Sequence, residues 1–496
     1  MRPLALPKWL TRVMTGGDVW FCRLRDLGDL RCLLSDGFGG SFYFRDLWFF
    51  VHGADMVPAM RTFILSLFIL TASIGQAFAA VTINLSNPGE SPVPIAVPTF
   101  YAVNPEAQSY AEDITGVVRN NFKNSTPFKI LNEKGYLQTP EQLFQNGPLF
   151  NDWRSINTDV VLVGTVEVIN GQQLKVDYRL YDTQTEKQLK GHSFKSDLRF
   201  MRHLAHRVSD DVYTQVTGEP GYFATRIVHI GEDKGLDGKN QTKLCVMDQD
   251  SANYQCLTDG SSLTLGPKFN KTLQTIIYMS YESGTPKLYL LDMPTGKQTI
   301  VGDFEGLNST PRFSPDGKRV AMTMTAGHEG NSEIYEMDLG SRRLSRLTYH
   351  RGIDTSPSYN PEGDKIVFNS DRGGSPALYI MNSDGSNVTR LTYGTGRYYS
   401  PAWSPRGDLI AFVKQRAGVF HIGVIDPQGN EERLLTDSWM DDNPTWAPNG
   451  RVIAFQRQAN RSDRSRMFTI DLTGYNLREL PTPTNASDPA WSPLIR

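Results

Sequence analysis

The stretch PRFSPDGKRV at residues 311–320 decides the fold, because variants of it recur through the second half of the chain. The complete copies are PSYNPEGDKI at 357–366, PAWSPRGDLI at 401–410 and PTWAPNGRVI at 444–453. A degenerate copy, PKFNKTLQTI, begins at Pro267, and a truncated copy, PAWSP, begins at Pro489. Successive copies start 44, 46, 44, 43 and 45 residues apart. A fixed period in this range is typical of an array, a solenoid or a propeller.

The second half of each repeat predicts two further strands. In one copy, the apolar run LYIMN at 378–382 is followed by a turn at Asp384-Gly385 and a segment that ends at Leu391-Thr392. Apolar runs divided by Gly, Asp and Asn turns are typical of antiparallel strands. The sequence Ser314-Pro315-Asp316-Gly317 fits a β-turn between two such strands. A repeat of about 44 residues therefore holds four short strands, which make one propeller blade.

The two ends of the array predict how the ring closes. The last repeat stops at Trp491-Ser492-Pro493 and lacks its second half. The first two-strand segment of the array begins at Leu244 without a complete repeat before it, and an extra strand at 225–230 precedes it. We infer that this strand completes the blade that the C-terminus opens, which hides the sheet edges. A linear solenoid with a capping strand is the alternative, but solenoids seldom use four short strands per repeat. We therefore predict a β-propeller of six four-stranded blades at 223–496.

Residues 80–217 contain no repeat and predict a small α/β domain before the propeller. Its predicted strands, chosen by apolar or alternating pattern, are 81–85, 95–100, 159–169 and 173–181. Its predicted helices, each with one apolar face, are 110–121 and 200–216. Asn170-Gly171 joins the last two strands as a hairpin. Residues 218–222, which begin Gly-Glu-Pro-Gly, are predicted to be a turn-rich hinge into the propeller.

An export signal is predicted at residues 60–79. Met60-Arg61 is followed by the apolar run 63–70 and then by small residues ending in Ala77-Phe78-Ala79. This is the pattern of a cleaved secretory signal, and an uncleaved anchor is the alternative, for which the run is short. We expect a mature chain that starts near Ala80 and has no membrane span. Because such a signal begins a chain, residues 1–59 are interpreted as a non-native upstream extension.

Composition and cysteine content set further limits. The chain has 51 basic and 53 acidic residues, which argues against a nucleic-acid-binding protein with a basic face. Beyond the extension, Cys245 and Cys256 lie on two adjacent predicted strands. Export would permit a disulfide between them, and two buried thiols are the alternative. No second Cys or His pair stands beside them, as a zinc site would need, so we expect neither metal nor cofactor.

Several segments resemble the TolB family, the periplasmic component of the Tol–Pal system. They are the linker GEPGYFATRI at 218–227, GLNSTPRFSPDG at 306–317, FNSDRGG at 368–374, NPTWAPNGRVIAFQ at 443–456 and the terminal PAWSP. The linker, together with the order of signal, α/β domain and six blades, is more specific than the repeat alone. The resemblance covers residues 80–496. It departs at Asn270-Lys271, where the repeat usually has Pro-Asp.

The resemblance implies a binding role rather than catalysis. It implies an adaptor whose propeller binds the peptidoglycan-associated lipoprotein Pal and whose first mature residues bind TolA. Such an adaptor supports outer-membrane integrity and constriction at cell division. Other outer-membrane proteins are further candidate partners.

The sequence lacks the common catalytic signatures. It has no G-x-S-x-G nucleophile elbow, no H-E-x-x-H motif and no P-loop. His421 is interpreted as a packed residue, and Ser370-Asp371-Arg372 as a salt-bridged turn. The alternative to an adaptor is a metal-dependent hydrolase or lactonase-like enzyme that uses the propeller channel, with Asp354, Asp371 and Asp441 as imaginable ligands. We expect no enzyme, because nothing in the spacing demands such a site.

The candidate partner-binding residues lie in the segments before each Pro-x-aromatic strand. These segments link successive blades on one face around the channel mouth, and they vary while the strands stay regular, as a binding surface on a rigid scaffold does. Tyr, Trp, Met and Arg are enriched at interfaces, and ordinary solvated loops are the alternative. The candidates are Leu307, Asn308, Thr310, Arg351, Asp354, Thr355, Arg397, Tyr398, Tyr399, Trp439, Met440, Asp441 and Asp442. The resemblance places Pal contacts at Leu307, Thr310 and Thr355.

The first mature residues are the second candidate binding segment. Val81, Thr82, Ile83, Asn84 and Leu85 form a short alternating pattern without charge. A terminal strand can add to the edge of a partner's sheet, which fits the TolA contact that the resemblance implies. The alternative is that this strand docks on its own domain.

Overall fold

The computed structural model describes most of the chain beyond residue 90. The described residues are 91–235, 238, 240–271, 274–306, 309–325 and 330–495, together with three strands near the N-terminus. For residues 309–310 and for those three strands, the structure describes the backbone but not the side chains. The predicted signal at 60–79 and strand at 81–85 lie outside them. The chain divides into two compact units, Met1–Ala80 and Val81–Arg496. In the first, an antiparallel sheet consists of Leu10–Thr15, Asp18–Leu24 and Leu30–Leu34.

The second unit begins with an α/β domain built on one mixed sheet. Its strands are Val93–Ala96, Tyr101–Ala102, Phe128–Ile130, Val160–Ile169, Gln173–Asp182 and Lys187–Asp197. Its helices are α1 (Gln108–Lys123), α2 (Pro140–Asn146), α3 (Phe150–Ser155) and α4 (Met201–Thr217), with 3-10 turns at Pro105–Ala107, Glu133–Gly135 and Leu198–Phe200. Helices α1 and α4 pack together, because each buries one apolar stripe, such as Ile114 and Val118 or Val208 and Val212.

The predicted hairpin is confirmed, whereas another strand of this domain was missed. Asn170 and Gly171 have φ angles of 53° and 63°, the positive values that a tight hairpin turn requires. The strand predicted at 95–100 instead ends at Ala96. Lys187–Asp197 pairs with Gln173–Asp182, but its sequence is largely polar and its residues are mostly exposed. Such a strand at a sheet edge lacks the apolar alternation by which strands are recognised.

Six four-stranded antiparallel sheets follow, as predicted. We number the blades from the one that closes the ring. From the inner strand outward, blade 1 is Asn485–Trp491, Arg226–Lys234, Asn240–Asp248 and Gln255–Cys256; blade 2 is Thr264–Phe269, Thr275–Ser280, Lys287–Asp292 and Gln298–Gly302; blade 3 is Ser309–Phe313, Arg319–Met324, Glu333–Asp338 and Leu344–Arg346. Blade 4 is Asp354–Tyr359, Lys365–Ser370, Ala377–Asn382 and Thr389–Arg390; blade 5 is Arg397–Trp403, Ile410–Arg416, Val419–Ile425 and Arg433–Leu434; blade 6 is Met440–Trp446, Val452–Gln458, Arg466–Asp471 and Arg478–Leu480.

The ring closes in the predicted way. In blade 1, the strand Arg226–Lys234 pairs antiparallel with the C-terminal strand Asn485–Trp491. Each inner strand contacts the inner strands of both neighbouring blades, so the six form a complete circle. Cys245 lies opposite Cys256 on the neighbouring strand, and the two are joined by a disulfide.

The linker between the two domains is clamped rather than free. Asp210 of α4 accepts hydrogen bonds from the backbone N–H groups of Phe223 and Ala224, at 2.7 and 3.0 Å. A Cβ atom on Gly221 would lie 2.5 Å from the Cα atom of Asp210, so only glycine lets the linker pass so close. Burial raises the pKa of Asp210 to about 7, against the opposing effect of the two backbone donors. The turn-rich segment is therefore a fixed joint between α4 and blade 1.

Candidate protein-binding site

The segments that connect neighbouring blades form one face of the propeller. Five link segments are described throughout, at 257–263, 347–353, 391–396, 435–439 and 481–484, and each runs from the outer strand of one blade to the inner strand of the next. Each inner strand begins at its link segment and ends, after its Pro-x-aromatic residues, at the turn that leads into the second strand of the blade. The link segments therefore share one end of the channel, which we call the link face, and the turns share the opposite end.

A threonine at the start of three link segments anchors each of them to the preceding blade. The hydroxyl groups of Thr348, Thr392 and Thr436 accept hydrogen bonds from the backbone N–H groups of Ile334, Leu378 and Ile422, at 3.0, 3.0 and 2.9 Å. These threonines are the second residue of the Leu-Thr pairs that end the repeats. These three link segments thus leave their blades from fixed, hydrogen-bonded points.

Two of the predicted interface residues, Asp354 and Asp441, are buried ion-pair partners instead. The Asp354 carboxylate lies 2.6 Å from Nη2 of Arg372, and the Asp441 carboxylate accepts from Nε and Nη2 of Arg457, at 2.7 and 2.6 Å. Both aspartates are fully buried. They stand three residues before the inner-strand proline, so their side chains enter the blade rather than the solvent. The expectation that they are exposed is corrected, and Ser370-Asp371-Arg372 does contain a salt-bridging arginine.

Tyr398 occupies the same position in blade 5 and is also buried. Its hydroxyl donates a hydrogen bond of 2.7 Å to Glu432, and the Lys414 ammonium lies 4.7 Å from its ring centre. Burial raises the pKa of Tyr398, and Glu432 acts in the same direction. In blades 4, 5 and 6, the residue three places before the inner-strand proline is therefore a buried side chain in contact with an arginine or a lysine. Tyr398 is not a surface anchor.

The remaining predicted residues divide between the link face and the channel. Arg351, Arg397 and Trp439 are exposed, whereas Thr355, Tyr399 and Met440 are half-buried. Asp442 accepts hydrogen bonds from the Ser400 hydroxyl and the Asn443 N–H, and burial raises its pKa. Leu307 and Asn308 lie outside the described residues, as does the side chain of Thr310.

The link face also carries three exposed apolar side chains that the sequence analysis missed. Tyr349, Ile353 and Tyr393 are 74%, 50% and 77% exposed, and the predicted Trp439 is 41% exposed. The guanidinium carbon of Arg346 lies 4.5 Å from the Tyr349 ring centre, and that of Arg390 lies 5.2 Å from the Tyr393 ring centre. The repeated Leu-Thr-Tyr at 347–349 and 391–393 would have revealed both tyrosines.

A possible metal-ligand group lies elsewhere, between α4 and blade 1. Among the described residues, His206, Asp248 and Asp250 are close enough to share an ion. The Arg202 guanidinium already neutralises the two carboxylates, at 3.4 Å from Asp248 and 2.5 Å from Asp250. The imagined channel ligands do not converge either, because Asp354 and Asp441 each bind an arginine and Asp371 accepts from the Ile353 N–H, at 2.7 Å.

Buried polar contacts join the α/β domain to the propeller beside this group. Asn121 of α1 donates to Ser209 of α4, at 2.9 Å, and accepts from Gln249 of the propeller, at 3.0 Å. Burial lowers the pKa of the neighbouring His206 to about 4, so its imidazole is neutral at physiological pH.

In the described part of the chain, no helix has the length and apolarity needed to cross a bilayer.

Comparison with known proteins identifies both domains. Residues 81–189 match the model of the TolB amino-terminal domain, and residues 213–495 match that of the TolB beta propeller domain. The Tol-Pal system protein TolB of Rickettsia prowazekii (strain Madrid E) is 43% identical over 444 residues, which cover 87% of this chain and 98% of that protein. A crystal structure of TolB from Acinetobacter baumannii superposes with a TM-score of 0.73 at 28% identity, covering 82% of this chain and 97% of that one. On this similarity along nearly the whole length of its relatives, the chain belongs to the TolB family.

Proposed function

We propose that the protein is a periplasmic adaptor of the Tol–Pal system, which binds the lipoprotein Pal through the link face. The observation that carries this proposal is the group of exposed apolar side chains Tyr349, Ile353, Tyr393 and Trp439. Aromatic residues supply much of the binding energy at protein interfaces, and clustered apolar exposure is typical of such sites. The arginines beside them, Arg351 and Arg397, are exposed as well and belong to the same enriched residue types.

The buried acid–arginine pairs support binding rather than catalysis. Asp354 and Asp441 are the acidic groups that a hydrolase centred on the channel would need, yet each is neutralised by an arginine. A carboxylate neutralised in this way holds a strand in place, because separating the buried pair is costly. The rigid inner strands then present the link segments in one fixed arrangement, which lowers the entropic cost of binding a partner.

The proposal is tested by titrating the full chain with the periplasmic domain of Pal. The substitution Thr355→Arg places a long charged side chain at a half-buried position beside the link face. We expect it to weaken binding by at least about tenfold, because a crowded charge inside an interface is poorly solvated. Gln428→Arg is the matched control, since Gln428 is exposed in a turn at the opposite end of blade 5. Equal binding by the two variants would overturn the proposed site, and no binding by the wild-type chain would overturn the Pal proposal.

We infer that the segment 81–85 contacts TolA and, through it, the inner membrane. The support is the resemblance together with the uncharged, alternating sequence, which suits addition to a partner's sheet edge. Deletion of residues 81–88 is expected to abolish TolA capture while the chain's melting temperature stays unchanged. Undiminished TolA capture by the deletion variant would contradict this part of the proposal.

A further inference from the structure

A cavity of about 240 Å³ lies at the end of the propeller channel opposite the link face. The residues that line it come from the Pro-x-aromatic-Ser-Pro stretch of the repeats, where the inner strands end. Its walls include the rings of Trp403, Trp446 and Trp491 and the prolines of the adjoining turns. The volume is smaller than that of typical pockets for drug-sized ligands, which span about 300–1,000 Å³. The cavity therefore suits a small molecule.

The charges in this cavity all have one sign. Lys268, Lys271 and Arg312 line it, and no Asp or Glu is among its lining residues. Lys268 and Arg312 stand between proline and aromatic residue, a position held by uncharged Ser358, Ala402, Thr445 and Ala490 in the other blades. Lys271 replaces the turn proline that the other five repeats carry. All three cations belong to the neighbouring blades 2 and 3, so the positive charge is confined to one wall.

These cations lack direct partners among the residues that the structure describes. Nη1 of Arg312 is shielded from solvent and has no hydrogen-bond partner. Asp488 is the acidic group that acts on Arg312, but its carboxylate already accepts from the Asn443 side chain and the Gly266 N–H, at 2.5 and 3.3 Å. Burial lowers the pKa of Arg312 to about 10, which leaves it protonated at neutral pH. A shielded N–H group of a cation without a hydrogen-bond partner is costly, and an anion would relieve that cost.

We propose that this cavity binds a small organic carboxylate. Its carboxylate would lie against Lys268, Lys271 and Arg312, and its apolar body against the tryptophan and proline wall of blades 5, 6 and 1. Arginine and lysine are the usual partners of carboxylates, and the apolar wall selects for a ligand with a hydrophobic part. This site shares no residue with the link face, so the proposal stands or falls independently of Pal binding.

The test is a calorimetric titration of the full chain with benzoate at low ionic strength, where screening is weak. We expect saturable binding at one site, and tighter binding of benzoate than of acetate or inorganic phosphate. Lys271→Pro and Arg312→Ala introduce residues that other blades carry at the same positions, and each is expected to weaken benzoate binding about tenfold. Lys318→Ala is the matched control, because Lys318 is exposed on the turn of blade 3 and outside the cavity lining; we expect it to bind as the wild type does.

Three outcomes would overturn the proposal. They are the absence of saturable benzoate binding, equal binding by the two cavity variants and Lys318→Ala, and phosphate binding as tight as that of benzoate. The last result would show a plain anion site in which the apolar wall plays no part. Thermal melting of each variant establishes that it is folded, and Lys271→Pro keeps the test decisive if Arg312→Ala is unstable.

Discussion

The two ends of the propeller are built from the same repeat, yet they use charge in opposite ways. At the link face, Asp354 and Asp441 lie buried against arginines, and the exposed surface above carries aromatic side chains. At the opposite end, Lys271 and Arg312 line a cavity without acidic residues. A paired buried charge holds a strand in place, because breaking the pair is costly. A cation that lines a cavity without an acidic partner, like an exposed aromatic residue, indicates a surface that a partner or ligand completes.

The largest effect is expected from breaking a buried pair. Asp441→Ala removes both acceptors of Arg457 and leaves its guanidinium uncompensated inside blade 6. We expect the free energy of unfolding to fall by about 3–5 kcal/mol, as measured by urea denaturation. Asp437→Ala is the matched control, since Asp437 is exposed on the neighbouring link segment and should change stability by less than about 0.5 kcal/mol. Similar losses in both variants would mean that the pair is not a structural anchor.

The clamp of Asp210 on the linker predicts that the stability of the folded chain depends on pH. The pKa of Asp210 rises from 3.8 to about 7 on folding because the carboxyl group is buried. Because the pKa is raised, the contribution of protonated Asp210 to stability is complete below pH 3.8. It is progressively lost as the pH rises through 7. The shift corresponds to at most about 4 kcal/mol.

Asp210→Asn tests this dependence, because an amide does not titrate. Between about pH 4 and pH 7.5, the melting temperature of the wild-type chain is expected to fall more than that of the variant. The variant should be less stable at low pH, since its amide group cannot accept both linker N–H groups. Parallel pH profiles would show that Asp210 is not responsible.

The exposed aromatic residues are expected to affect binding without affecting stability. In the double variant Tyr349→Ala/Tyr393→Ala, both side chains come from exposed positions, so the free energy of unfolding should change by less than about 1 kcal/mol. Affinity for the periplasmic domain of Pal should fall by about tenfold or more, as calorimetry would measure. Tyr475→Ala is the control, because Tyr475 is 67% exposed on the turn of blade 6 at the other end. A loss of affinity in the control alone would reverse the assignment of the two ends.

The smallest effect is expected at the cavity. Lys271→Pro restores the proline of the repeat beside Asn270, whose N–H donates to the Thr275 carbonyl as Ser314 N–H does to Arg319. The proline should raise the free energy of unfolding by about 0.4–1 kcal/mol by restricting the unfolded chain. Urea denaturation measures the change. A destabilised Lys271→Pro would mean that the lysine contributes to the fold itself.

The fold could be predicted from the sequence because its signals are local and repeated. The Ser314-Pro315-Asp316-Gly317 turn and its counterparts fix the strand boundaries, and the number of repeats fixes the number of blades. The burial of Asp354, Tyr398 and Asp441 is less local, because it depends on a cation in the adjacent strand. Alignment of the repeats on their prolines would have shown these three at one position, each followed 16 or 18 residues later by Arg372, Lys414 or Arg457.

The exposed and unpaired groups were harder to predict. Tyr349 and Tyr393 follow a buried Leu-Thr pair, and only the direction of the chain after Thr348 and Thr392 decides that the rings point to solvent. Lys271 was visible as a departure from the repeat, but its meaning depends on the cavity that the neighbouring blades form. The binding segment predicted at 81–85 remains a prediction, as it lies outside the described residues.

The measurement that tests the central claim most directly is amide hydrogen exchange of the full chain with and without the periplasmic domain of Pal. We predict that Pal slows exchange in the link segments 347–353, 391–396 and 435–439. Exchange in the turns at the opposite end of the same blades, such as 427–431 and 473–477, should not change. Protection of those turns instead, or no protection of the link segments by bound Pal, would contradict the account.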